Sequence, residues 1–75
     1  MKVLFDFSRL RGRIIEKFGS CEAFGAAVGL SKAQVSDRLN NKVAFKPEEI
    51  PLICSAEILD IKQEDIGAYF FTLKV

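Results

Sequence analysis

Histidine and tryptophan are absent from this 75-residue chain, and cysteine occurs only twice, at Cys21 and Cys54. Without histidine, two thiols cannot form a zinc finger or any other ordinary metal cluster, so no metal is expected. The commonest general acid–base group is also missing. There is no phosphate-cradling glycine loop, and no Ser or Cys beside an evident base, so neither an enzyme nor a cofactor is expected. No apolar run approaches the roughly 20 residues that cross a bilayer. The start, MKVLFDFSRLRGR, breaks its short apolar stretch with Asp6 and Ser8 and offers no small-residue cleavage site. Neither a membrane span nor a signal peptide is expected. A Cys21–Cys54 disulfide is the alternative to two free thiols; nothing points to an oxidising compartment, so reduced thiols are expected, with Cys54 in the core.

What is present is an ordinary globular composition, 49% hydrophobic and 28% charged. The length suits one domain, residues 1–75, with no linker or repeat. A core this small is marginal alone, which favours a homodimer. The net charge is only +1, but it is unevenly placed. Residues 1–42 carry eight basic and four acidic groups, whereas residues 43–75 carry three basic and six acidic groups. Either the chain has a positive front that meets phosphate, or this is an ordinary mixed surface.

Residues 3–7 are β-branched or aromatic at most positions, and Val3, Phe5 and Phe7 would share one face of a strand. Ser8 is placed to cap a helix over 9–18, in which Leu10, Ile14 and Phe18 recur every fourth residue before Gly19 stops it. Arg9, Arg13 and Lys17 share its outer face, as a solvated stripe or as phosphate contacts. Ser20 caps a second helix over 21–28, closed by Gly29. Ser31 with Gln34 forms a capping box for a third, which Asn40-Asn41 ends. Pro47-Glu48-Glu49 reads as a first helical turn, with Pro51 awkward just inside it. Ile50, Ile53, Cys54, Ile58 and Leu59 would bury. Asp60 with Gln63 suggests a capping box for a last short helix through Ala68. Tyr69, Phe71, Leu73 and Val75 alternate with Phe70, Thr72 and Lys74 as in a strand. The expected fold is mainly α, with five helices and a small two-stranded antiparallel sheet from the terminal segments. These segments pair within one chain or, alternatively, between chains of a dimer.

Residues 20–40 have the spacing of a helix-turn-helix. Phe24 and Val28 anchor one helix, Gly29 turns the chain, Leu30 plugs the corner, and Val35 and Leu39 anchor the next. Gly25 and Ala26 are small enough for the helices to cross closely. Such a pair places the start of its second helix in the DNA major groove.

The run FGAAVGLSKAQVSDRLNNK, Phe24 to Lys42, resembles the helix-turn-helix of the phage lambda-type repressor and Cro family. The segments FDFSRLRGRIIEKFG, Phe5 to Gly19, and AYFFTLKV, Ala68 to Val75, are similar to short Cro-like regulators of temperate phages of Gram-positive bacteria. The resemblance implies a lambda-repressor-like DNA-binding domain and roles for particular positions. Lys32, Ala33, Ser36 and Asp37 fall where the recognition helix faces base edges. Lysine donates to guanine, an alanine methyl meets thymine, and Asp37 either accepts from cytosine or orients Lys32 or Arg38. Gln34 either completes the cap or touches DNA. Ser31, Asn40, Asn41, Lys42 and Lys46 match positions that meet the DNA backbone. Cys21 does too, although glutamine is usual there and only the local backbone amides remain to serve. Arg38 replaces an apolar residue and would snorkel toward phosphate.

The resemblance implies a cytoplasmic regulator in a bacterial host cell that represses by occluding an operator in a lysis–lysogeny switch. A homodimer would set its two recognition helices about 34 Å apart on a pseudo-palindrome. No small-molecule effector is expected. Two other readings stay open: a DNA-binding antitoxin whose acidic second half masks a toxin, and a helix-turn-helix scaffold used for protein contact.

Overall fold

The computed structural model describes residues 4–74. Among the described residues there are five α-helices: α1 Ser8–Phe18, α2 Cys21–Val28, α3 Lys32–Leu39, α4 Glu49–Cys54 and α5 Ile66–Phe70, the last preceded by a 3-10 turn over Gln63–Asp65. They enclose one core. Leu10 and Ile14 of α1, Phe24 of α2, Val35 of α3, Ile53 of α4, Leu59 and Phe70 are all nearly or wholly inaccessible. Each such side chain contributes roughly 1.5–3 kcal/mol on burial. Phe45 joins two of the core aromatics edge to face, its ring centroid lying 5.4 Å from Phe7 and 5.2 Å from Phe70.

Local chemistry sets the helix ends. The Asp6 carboxylate, rather than Ser8, serves the start of α1: its Oδ1 accepts from Ser8 N at 2.9 Å and from Ser8 Oγ at 2.6 Å. These bonds hold the Asp6 carboxyl below its ordinary pKa. Gly19, at φ +80°, closes α1. Ser20 Oγ accepts from Ala23 N at the start of α2, and Ser31 and Gln34 form the expected reciprocal box on α3. Asn41, at φ +63°, turns the chain away after α3.

The second half departs further from the sequence pattern. Helix α4 begins at Glu49 rather than Pro47 and ends at Cys54. Pro51 is accommodated because it lies in the first turn, where backbone N–H groups have no intrahelical acceptor. Leu59 reaches the core (0% exposed) from the following turn, with its N–H bonded to Ile53 O. Asp60 caps nothing; it takes φ +51°, and Lys62 precedes the 3-10 turn.

The expected two-stranded sheet does not form among the described residues. The terminal segments meet only in an isolated antiparallel bridge between Phe5 and Leu73, with Asp6 N donating to Thr72 O at 2.7 Å and Lys74 N to Leu4 O at 3.0 Å. Two causes are visible. Helix α5 continues through Tyr69 and Phe70 because Phe70 then enters the core, at 2% exposed, and this shortens the extended segment. On the other side, the Asn41 side chain takes the backbone of Phe5. Its Oδ1 accepts from Phe5 N at 2.9 Å and its Nδ2 donates to Phe5 O at 3.0 Å. A side-chain amide thus stands where a further strand would pair. Val3 and Val75, which the strand pattern included, lie outside the described residues.

Candidate functional site

The helices α2 and α3 pack against each other through a tight turn at Gly29, Leu30 and Ser31. Gly29 adopts φ +80°, and Leu30 N donates to Gly25 O at 2.8 Å. Gly25 sits under this turn. A Cβ there would collide with the Leu30 carbonyl oxygen and press on Val35 Cγ2 at 3.1 Å. The absent side chain is what lets the two helices approach. Val35 and Leu39 hold α3 from inside.

That anchoring leaves Lys32, Ala33 and Ser36 exposed on the outer side of α3 and Asp37 half-buried at its margin. Gln34 is exposed, but its Oε1 accepts from Ser31 N at 2.8 Å, and Ser31 Oγ accepts from Gln34 N at 3.1 Å. Both side chains are therefore committed to the cap, with the Gln34 amide nitrogen left outward. Cys21 is half-buried in the first turn of α2 and is a free thiol. Lys42 and Lys46 are exposed beyond α3. Cys54, the other free thiol, is buried, which pushes its pKa up.

Three of the expected backbone-contacting residues are engaged inside the protein. Arg38 is 5% exposed and does not snorkel outward. Its Nε and Nη2 each donate to a Glu49 carboxylate oxygen at 2.9 Å, and its Nη1 donates to Gln34 O at 3.1 Å. This fork holds the Glu49 carboxyl below the usual carboxylate range and raises the guanidinium further. Asn41 clamps Phe5, as described. Asn40 is exposed but joins Arg11 of α1 to Ser36: Arg11 Nη2 donates to its Oδ1 at 2.9 Å, and its Nδ2 donates to Ser36 Oγ at 3.1 Å. Arg11 has no place in the linear motif. No signal near it in the sequence predicts contact with α3.

A second feature was also missed. A half-open apolar groove, lined by Phe5, Phe7, Val43, Phe45, Phe70 and Phe71, opens beside Lys42. Phe71 is 54% exposed at its edge, and Leu73 is 60% exposed. Among the described residues, no group of three or more His, Cys, Asp or Glu could hold a metal ion. No described helix is long and apolar enough to cross a membrane.

The family described as "Protein of unknown function (DUF739)" matches residues 3–73. This chain belongs to that family. Among solved structures, the DUF739 chain is similar to the solution structure of the modulator of repression of the temperate bacteriophage TP901-1 from Lactococcus lactis. The two are 42% identical, with a TM-score of 0.76, over 89% of this chain and 88% of that one. No curated protein sequence matches it. The match covers α1 to α5 as a unit and not the α2–α3 pair alone. It does not place the chain in the lambda repressor or Cro family, whose motif it resembles.

Proposed function

We propose that this protein is a regulator of repression in a temperate phage, and that it works through the outer face of α3 as a helix-turn-helix on operator DNA. The observation that carries the reading is the exposed set Lys32, Ala33 and Ser36 on a helix fixed by the Ser31–Gln34 box and the Gly25 crossing. Similarity to a phage modulator of repression supports the regulatory setting. Lys32 supplies a donor for guanine, Ala33 a methyl for thymine, and Lys42 and Lys46 a charge for phosphate. Cys21 offers a backbone amide at the start of α2, whereas the Ser31 amide is already held by Gln34 Oε1. One such face contacts few phosphates and binds weakly, so the protein acts as a homodimer on two half-sites about 34 Å apart.

A second reading, contact with a repressor protein in place of DNA, is favoured by a specific observation. The groove beside Lys42 exposes Phe71, and Arg38 is neutralised internally by Glu49. Gel shift on phage operator DNA, with and without the cognate repressor, separates the two. A shift by the protein alone that weakens in Lys32→Ala supports the DNA reading. No shift alone, with loss of the repressor's shift on addition, supports the protein reading.

A further inference from the structure

The three side chains Arg11, Asn40 and Ser36 form a chain of hydrogen bonds whose direction is fixed by chemistry. Arg11 Nη2 lies 2.9 Å from one atom of the Asn40 amide, and the other amide atom lies 3.1 Å from Ser36 Oγ. A guanidinium carries only N–H donors and accepts nothing. The amide atom facing Arg11 must therefore be oxygen, and the atom facing Ser36 must be nitrogen. Ser36 Oγ then accepts from Asn40 with one of its two lone pairs, and its own proton is free to point elsewhere. None of the side-chain hydrogen bonds among the described residues has Ser36 as donor, and Ser36 is exposed one turn after Lys32.

The geometry points to Arg11 and Asn40 as positioning residues that make Ser36 a hydrogen-bond donor on the outer face of α3. On DNA, a hydroxyl polarised in this way donates more strongly than it accepts with its remaining lone pair, which favours an acceptor edge, such as guanine N7 or O6, over the cytosine amino group. This assignment rests on the DNA-binding reading given above. It also yields an inversion. In Asn40→Asp, the carboxylate can only accept, so it takes both the Arg11 N–H and the Ser36 proton. Ser36 then presents lone pairs, and the preference moves to an amino group, on cytosine or adenine.

The test is a base-by-base substitution of an operator half-site, with binding measured for the full chain and its variants. Each variant's preference is compared with itself, so a general loss of affinity from the added carboxylate cancels. Thermal melts confirm that each variant is folded. Wild type should prefer guanine over cytosine at one base pair by about three- to tenfold, the range of one net hydrogen bond. Ser36→Ala and Arg11→Met should flatten that preference. Arg11→Lys, whose ammonium is also only a donor, should keep it, and Asn40→Asp should reverse it. If wild type binds DNA and Asn40→Asp keeps the guanine preference, the positioning role is overturned while the DNA reading stands. If wild type binds no DNA, the DNA reading falls, and this base assignment falls with it. The side-chain amide of Asn40, followed by NMR in the free protein, checks the chain without DNA. Its two protons should shift in Ser36→Ala and in Arg11→Met, and unmoved resonances would refute the chain itself.

Discussion

Replacing Arg38 by methionine isolates the buried ion pair that joins α3 to α4. The stem of the side chain stays, while two donors to Glu49 and one to Gln34 O disappear. Glu49 is left with a 15% exposed side chain and only the Lys46 N–H, at 3.0 Å, as partner. Stranding one member of a buried pair costs about 3–5 kcal/mol. The partly wet edge of Glu49 sets the expectation at the low end, about 3 kcal/mol. At roughly 4–8 °C per kcal/mol for a domain of this size, the midpoint of thermal unfolding should fall by about 12–24 °C. Helical circular dichroism during heating and urea titration reads this directly. The control is Arg38→Met with Glu49→Leu, which removes both charges. It should unfold within about 1 kcal/mol of wild type, since an apolar pair replaces a buried ionic one at little cost. Acid supplies an independent check. The folded-state pKa of Glu49 is depressed, so its contribution is fully present above the unfolded value of about 4.3 and is lost as pH falls through the folded value. The gap between wild type and Arg38→Met should therefore close in acid. A single variant within about 0.5 kcal/mol of wild type, smaller than most core substitutions, would refute the reasoning. So would a double variant as unstable as the single one.

Gly25→Ala should destabilise the protein by about 2 kcal/mol, because a backbone carbonyl blocks the new methyl and outweighs the better helix propensity of alanine; the urea midpoint measures it. Asn41→Ala should cost about 2 kcal/mol, through two lost bonds to Phe5 and a left-handed backbone. Asn41→Gly removes the bonds but eases the backbone, so it should recover part of that loss in the same titration. Lys32→Ala should weaken binding to the preferred DNA site about tenfold and relax discrimination at one base pair. Equal affinity and equal preference in a gel shift would remove Lys32 from the reading face.

Helices α2 and α3 were legible because their signals are local. A serine cap, an amide three residues later and a glycine stop lie within one turn of the helix they define. All of these at α2 and α3 stand where the spacing put them. What was less legible is fixed by partners distant in sequence. Arg38 meets Glu49 across the loop after α3, and Asn41 meets Phe5 across 36 positions. Nothing in either neighbourhood announces the partner. The terminal sheet failed for another reason. Alternating apolar residues over 69–75 fit a strand, but Tyr69 and Phe70 also fit the last turn of a short helix. Burial of Phe70 decides for the helix. Propensity over so few residues cannot make that choice, whereas a core position worth roughly 1.5–3 kcal/mol can.

The charge pattern changes meaning once the contacts are known. All four arginines of the chain reach acceptors or a ring within the protein. Arg9 lies over the Tyr69 ring at 6.0 Å, Arg11 bonds Asn40, Arg13 bonds Leu59 O, Asp60 O and Glu16, and Arg38 bonds Glu49. Three of these connections run from the basic first half to the second half, so part of the asymmetry ties the halves together instead of facing a ligand. The lysines differ. Lys17, Lys32, Lys42, Lys46, Lys62 and Lys74 are all exposed, and none forms an ion pair among the described residues. A lysine is a point charge without the planar fork that arginine offers to phosphate or guanine. On the proposed DNA-binding reading, attraction by this surface is therefore diffuse, and discrimination rests on Lys32 together with the neutral polar atoms of α3. That places the weight of recognition on how Ser36 and the residues beside Lys32 are held, and less on how many positive charges the sequence contains.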